Sequence, residues 1–114
     1  MSKPRNKTGL TLACLLVAAT AAPYGTAHAQ NVEDLARRSA CMSCHAVDKP
    51  LVGPSFRKIA DKYRGDANAP ALLADRVRKG SKGVWGPMPM PPNSGVSEEN
   101  ARALVRWILE TPSP

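Results

Sequence analysis

Cys41-Met42-Ser43-Cys44-His45 is the stretch on which the reading of this chain turns. The spacing C-x-x-C-H is the attachment sequence of c-type haem, and the reason is mechanical. Two thiols three positions apart near a helix end can each add to a haem vinyl group, giving two thioether bonds. His45 follows at once and can present its imidazole to the iron from the proximal side. Other uses of the pattern fare worse. A thioredoxin-like redox pair needs a βαβ pattern, and no segment here alternates as a strand does. A zinc site needs four ligands, yet after residue 29 the chain has no Cys or His beyond Cys41, Cys44 and His45. A plain disulfide leaves His45 and the Met-bearing loop downstream without a role.

The rest of the chain fits one small domain behind a leader. Its 114 residues allow a single domain, and 43% hydrophobic residues are too many for a disordered chain. Lys3, Arg5 and Lys7 precede an uncharged apolar run over residues 9–22, and Ala27-His28-Ala29 closes it. That is the layout of a secretory signal peptide over residues 1–29, cleaved after Ala29, with residues 30–114 as the mature domain. The apolar run is shorter than the roughly 20 residues a spanning helix needs, so no permanent membrane anchor is expected. Cys14 lacks the triplet before it that lipidation uses. The net charge of +7 falls to +4 once Lys3, Arg5 and Lys7 leave, with thirteen basic residues against nine acidic ones. Those charges are interspersed, without the basic stripe a nucleic-acid binder needs, so nucleic acid is excluded as a partner.

Residues 30–114 read as all-α, about four short helices punctuated by Pro and Gly. Asn31 is expected to cap the first, with Glu33 and Asp34 in its first turn and Val32, Leu35, Ala36 and Ala40 on its apolar face. It should run to Cys44-His45. Residues 55–63 form the second, with Phe56, Ile59, Ala60 and Tyr63 at i, i+3, i+4 and i+7. Pro70 opens the third, with Leu72, Leu73 and Val77 inward, and Gly80 stops it. Ser97 caps the fourth, whose stripe is Ala101, Leu104, Val105 and Ile108; Trp107 is assigned to the core. Domains this small recruit disulfides, metals or cofactors because their cores are thin. A haem wrapped by the helices and by the Pro-rich loop over residues 80–95 meets that need.

Electron carriers commonly place a Met opposite the haem His. Met42 lies inside the attachment motif, which leaves Met88 and Met90 in Gly86-Pro87-Met88-Pro89-Met90-Pro91-Pro92-Asn93. Alternate residues of an extended segment point opposite ways, so one can face the iron, and spacing does not say which.

CMSCH, VGPSF, RKGSKGVWGPMPMPPN and a last helix ending in RWIL together resemble the small bacterial cytochrome c-551 (cytochrome c8) family of class I c-type cytochromes. The resemblance spans the whole mature chain and implies the class I cytochrome c fold around one covalent haem c, held through Cys41 and Cys44. It implies His45 and Met90 as iron ligands, with Met88 a departure from the aliphatic residue the family often has there. By the same match Pro54 offers its carbonyl to the proximal His, a bond that orients the ring and raises its basicity. Arg76 and Trp85 match residues bonding a haem propionate, and Asn93 matches the side chain placed near the Met sulfur.

With both axial positions filled, the iron has no vacant site for oxygen or peroxide, so the expectation is a carrier and not an enzyme. The soft thioether favours ferrous iron and raises the reduction potential. The resemblance thus implies a periplasmic, monomeric one-electron shuttle between respiratory complexes. The alternative is a dedicated haem subunit of a periplasmic dehydrogenase or reductase; a ligand sensor with a labile Met rests on the Met88/Met90 pair alone. Docking of protein redox partners is expected at the haem edge, on Met42, Val52 and residues 88–92, ringed by Lys49, Arg57, Lys58 and Lys82 and so suited to acidic partners.

Overall fold

The computed structural model describes Ser2 and residues 26–113, with side-chain surroundings given from Asn31 onward. The basic and apolar parts of the expected leader, and Cys14, lie outside the described residues. Four α-helices and one 3-10 turn make up the described chain: α1 (Thr26–Arg38), the turn (Cys41–Ser43), α2 (Phe56–Tyr63), α3 (Ala69–Lys79) and α4 (Glu98–Leu109). Among the described residues there is no strand, only two isolated antiparallel bridges, His45 with Pro50 and Ser81 with Met90. No described helix is long and apolar enough to cross a membrane.

Three helix ends follow from capping chemistry, two through a serine side chain and one through a glycine backbone. Ser55 accepts a hydrogen bond from the Lys58 amide at 3.2 Å, and Ser97 accepts one from the Asn100 amide at 3.1 Å; each satisfies a donor that the first turn leaves unpaired. Glu98 and Glu99 add negative charge at the start of α4. Gly80 ends α3 at φ 81° and sends its N–H to the Arg76 carbonyl.

The first helix departs from expectation at both ends. It passes through Asn31, which is therefore not its cap, because Ala27, Ala29 and Gln30 are helix formers and nothing at Asn31 halts the chain. It stops at Arg38, since Ala40 takes a left-handed φ of 59°. Ala40 is therefore exposed rather than part of the apolar face.

α4 packs against α1, α2 and α3. Its Ala101, Leu104, Val105 and Ile108 are all buried, joined by Val32 and Ala36 of α1, Phe56, Ala60 and Tyr63 of α2, and Ala69 and Ala74 of α3. Trp107 packs against this core and meets Phe56 edge-to-face at 5.4 Å. Leu72, expected inward, is exposed; Leu73 and Val77 are the residues of α3 that turn toward the interior. The core is thin: Phe56, Leu104 and Val105 are its largest fully buried side chains.

Candidate haem site

The attachment motif leaves α1 and folds into the 3-10 turn, with the Cys44 and His45 amides both bonded to the Cys41 carbonyl, at 3.2 and 3.0 Å. In a 3-10 turn residues i and i+3 eclipse, so the backbone itself puts Cys41 and Cys44 on one face. Both thiols are free and half-buried. Burial pushes the Cys41 thiol above its ordinary pKa, opposed in part by its own backbone.

His45 is buried, and its surroundings fix it from three sides. Its Nδ1 lies 2.7 Å from the Pro54 carbonyl oxygen; a carbonyl only accepts, so Nδ1 carries the proton and Nε2 keeps its lone pair free. Its ring stacks on Phe56 at 5.4 Å with planes 22° apart. The backbone of Gly53 passes so close that a Cβ there would sit 2.7 Å from His45 Cε1. Gly53 donates to the Cys44 carbonyl at 2.8 Å, which ties the Val52-Gly53-Pro54 segment to the motif. The sequence pointed to Pro54 and not to Gly53, whose one signal was its place directly before that proline.

Met90 is held by its main chain. Its N–H bonds the Ser81 carbonyl at 2.8 Å and its carbonyl accepts from Ser81 at 3.0 Å. Gly80 makes room for this pair: a Cβ at Gly80 would meet the Met90 carbonyl at 2.7 Å. Met88 stands two residues earlier and is 63% exposed. The Asn93 amide N–H bonds the Val77 carbonyl at 2.9 Å, and its side-chain nitrogen bonds the Ser39 carbonyl at 2.8 Å. Asn93 thus ties the end of the Met90 loop to α3 and to the end of α1, and it does not line the cavity described next.

A single cavity of about 580 Å³ collects the other expected residues: Cys41, Cys44, His45, Pro54, Arg76, Trp85 and Met90 all line it. Phe56, Ile59, Leu73, Val77, Leu104, Val105 and Ile108 supply apolar wall from α2, α3 and α4. Arg76 Nη1 donates to the Tyr63 hydroxyl at 2.6 Å, and Trp85 is 37% exposed at the rim. Among the described residues no group of three or more His, Cys, Asp or Glu stands together as a metal site; Cys41, Cys44 and His45 do not converge on one point as zinc ligands do. Two free thiols on one face, an imidazole with only Nε2 free, and a large apolar cavity fit a flat, covalently held, iron-bearing macrocycle.

The expected docking rim is corrected at Met42, and its charge is altered at Arg57. Met42 packs against the core instead of facing outward, and Arg57 is ion-paired with Asp48. Leu51, Val52 and Met88 are exposed beside the cavity, as are Lys58 and Lys82.

Fold and site define a class I c-type cytochrome. The family model described as Cytochrome c matches residues 29–112, and the chain belongs to that family. Within it the chain falls in the cytochrome c-551 group. It is 45% identical over 98 residues to cytochrome c-551 of Pseudomonas aeruginosa, covering 86% of this chain and 92% of that protein. It is 46% identical over 82 residues to cytochrome c-552 of Nitrosomonas europaea, covering 72% of this chain and 80% of that one. The crystal structure of wild-type Nitrosomonas europaea cytochrome c552 superimposes with a TM-score of 0.69 at 45% identity, covering 70% of this chain and 99% of that chain. The cofactor is one covalently attached haem c with its iron, and the role supported is that of a small monohaem electron carrier.

Proposed function

We infer that the protein is a periplasmic one-electron carrier whose iron is held between His45 Nε2 and the Met90 thioether, with Cys41 and Cys44 as the thioether anchors. The observation that carries this reading is the one cavity lined by all four residues. Haem c supplies reversible one-electron chemistry at its iron when bound. The chain's part is to orient the ligands and exclude water. Pro54 fixes the His45 ring through the 2.7 Å bond, and Ser81 fixes the backbone of Met90. Arg76 and Trp85 are placed to meet the propionates, and guanidinium suits a carboxylate partner. Asn93 steadies the segment that carries Met90.

Residues 1–29 act as the export leader, and the mature protein works as a monomer that is not itself an enzyme. Its partners are protein donors and acceptors of the respiratory type, met through a small, short-lived contact. Leu51, Val52 and Met88 form the apolar centre of that contact. Lys49, Lys58 and Lys82 at its edge favour acidic partners, an effect exerted mainly on association rate. Absorption spectra of the purified protein, oxidised and reduced, test the ligation. Low-spin spectra in both states and indifference to carbon monoxide are expected; a high-spin or carbon monoxide-binding form at neutral pH overturns it.

A further inference from the structure

Arg76 is held from behind. Tyr63 is the last residue of α2, buried at 9% exposure, and its hydroxyl accepts the 2.6 Å hydrogen bond from Arg76 Nη1. The Arg76 guanidinium carbon also lies 6.0 Å from the centre of the Tyr63 ring. Tyr63 does not line the haem cavity, whereas Arg76 does. Hydroxyl and ring therefore grip the guanidinium on the side away from the cavity and leave Nη2 and Nε for a partner within it.

Charge around the pair points the same way. Among the described residues no carboxylate makes an ion pair with Arg76; Asp61 and Asp75, the acids nearest in sequence to Tyr63 and Arg76, are engaged by Arg64 and Lys79. Lys62 adds a second cation, 5.8 Å from the Tyr63 ring and 5.5 Å from the Trp85 ring, and among the described residues it too makes no ion pair with an acid. A half-buried guanidinium with no carboxylate of its own is costly unless an anion meets it. Holding it still before the anion arrives lowers the ordering cost of that meeting.

We propose that Tyr63 is a positioning residue for the redox centre: its hydroxyl aims Arg76 at the haem carboxylates and keeps that positive charge beside the iron. The inference rests on the assignment of Arg76 to a propionate. Ferric haem carries one more positive charge than ferrous haem, so a fixed cation nearby disfavours the ferric state and raises the potential. Releasing the guanidinium toward water lets a higher dielectric weaken its effect.

The test is a double-mutant cycle read as midpoint potential, by spectroelectrochemical titration of the holoprotein at fixed pH and ionic strength. Tyr63→Phe keeps the ring and its packing and removes only the hydroxyl. Arg76→Leu is expected to lower the potential, and Tyr63→Phe to lower it by a smaller amount. Adding Tyr63→Phe to Arg76→Leu should produce no further shift, because the hydroxyl acts only through the guanidinium. Tyr63→Phe with the native potential, or with the same shift in both backgrounds, overturns the inference and leaves the Arg76 assignment standing. Arg76→Leu with an unchanged potential overturns that assignment, and the inference with it.

Discussion

Gly53→Ala is the smallest change that attacks the proximal ligand. Gly53 does not lie in the left-handed region, so its backbone conformation is open to any residue and alanine adds no conformational strain there. The cost comes from one atom. The new Cβ would stand 2.7 Å from His45 Cε1, 3.1 Å from Nδ1 and 3.3 Å from Nε2. Carbon pairs prefer about 3.5–4.0 Å, so the ring or the Gly53 segment must yield by close to 1 Å. Neither yields freely. The ring is stacked on Phe56 and bonded to Pro54, and the Gly53 N–H is bonded to Cys44.

Overpacking of this kind costs about 1–3 kcal/mol, and loss of the His45–Pro54 hydrogen bond adds about 1 kcal/mol. Gly53→Ala should therefore destabilise the holoprotein by about 2–4 kcal/mol in denaturant unfolding, with the slope m unchanged. Gly65→Ala is the control. Gly65 has φ 79° and open space around its Cβ position, so it isolates the left-handed penalty of about 1–2 kcal/mol without a clash. A loss below about 0.5 kcal/mol for Gly53→Ala, the range of an ordinary surface change, refutes the claim that close backbone approach holds the His45 ring.

Three further outcomes are expected. Replacing both Cys41 and Cys44 with Ala should abolish covalent haem and leave the chain largely unfolded by circular dichroism; native helix content without haem contradicts the view that the cofactor completes the core. Met90→Ala should remove the weak near-infrared band of Met bound to ferric haem and lower the potential, while Met88→Ala leaves the band in place, and the reverse pattern moves the ligand to Met88. Asp61 is held below the ordinary carboxylate range by hydrogen bonds from Ser113 and Arg64. A depressed folded pKa gives stability that is present above the unfolded value of about 3.9 and is lost as pH falls through the folded value. Melting temperatures across this acid limb should fall less steeply for Asp61→Asn than for the native chain, and parallel curves rule the contribution out.

Legibility in the sequence followed the range of the interaction. Ser55, Ser97 and Gly80 act within a turn or two of their own positions, and the helix ends they set appear where their chemistry places them. The end of α1 was hidden because Ala40 is left-handed, a conformation its residue type disfavours. Leu72 reads as inward by period, yet the buried face of α3 runs through Ala69 and Ala74 with Leu73 and Val77 beside it, a rotation that only packing against α4 decides. At the site, Cys41, Cys44 and His45 were readable from the motif, and Pro54, Arg76, Trp85 and Met90 from family likeness, and all of them line the cavity. Gly53 and Ser81 also line the cavity but act on His45 and Met90 through the backbone, and Tyr63 reaches Arg76 from behind it; these contacts join positions far apart in the chain, which sequence periodicity does not mark. Asn93 was named as a neighbour of the Met sulfur, and its described bonds are to Ser39 and Val77.

The two proposed iron ligands are held by the same device from opposite ends of the chain. On one side the Pro54 carbonyl accepts the hydrogen bond from the imidazole Nδ1–H while the Gly53 backbone passes close to the ring. On the other, Ser81 bonds both main-chain groups of Met90, and Gly80 leaves space for that pair to close. In each case a glycine permits the approach and a neighbouring backbone group makes the hydrogen bond. Backbone partners have few rotamers to explore, so they limit how far a ligand can drift when the charge on the iron changes. A redox centre whose ligands stay in place in both states has little to rearrange on electron transfer. Met88 is the contrast that makes the point. It has the same thioether in the same loop and also lines the cavity, but it is 63% exposed and, among the described residues, has no backbone pairing of the kind that joins Met90 to Ser81. Spacing left the choice between the two methionines open, and the pairing of the Met90 main chain with Ser81 is what favours Met90 in the proposed ligation.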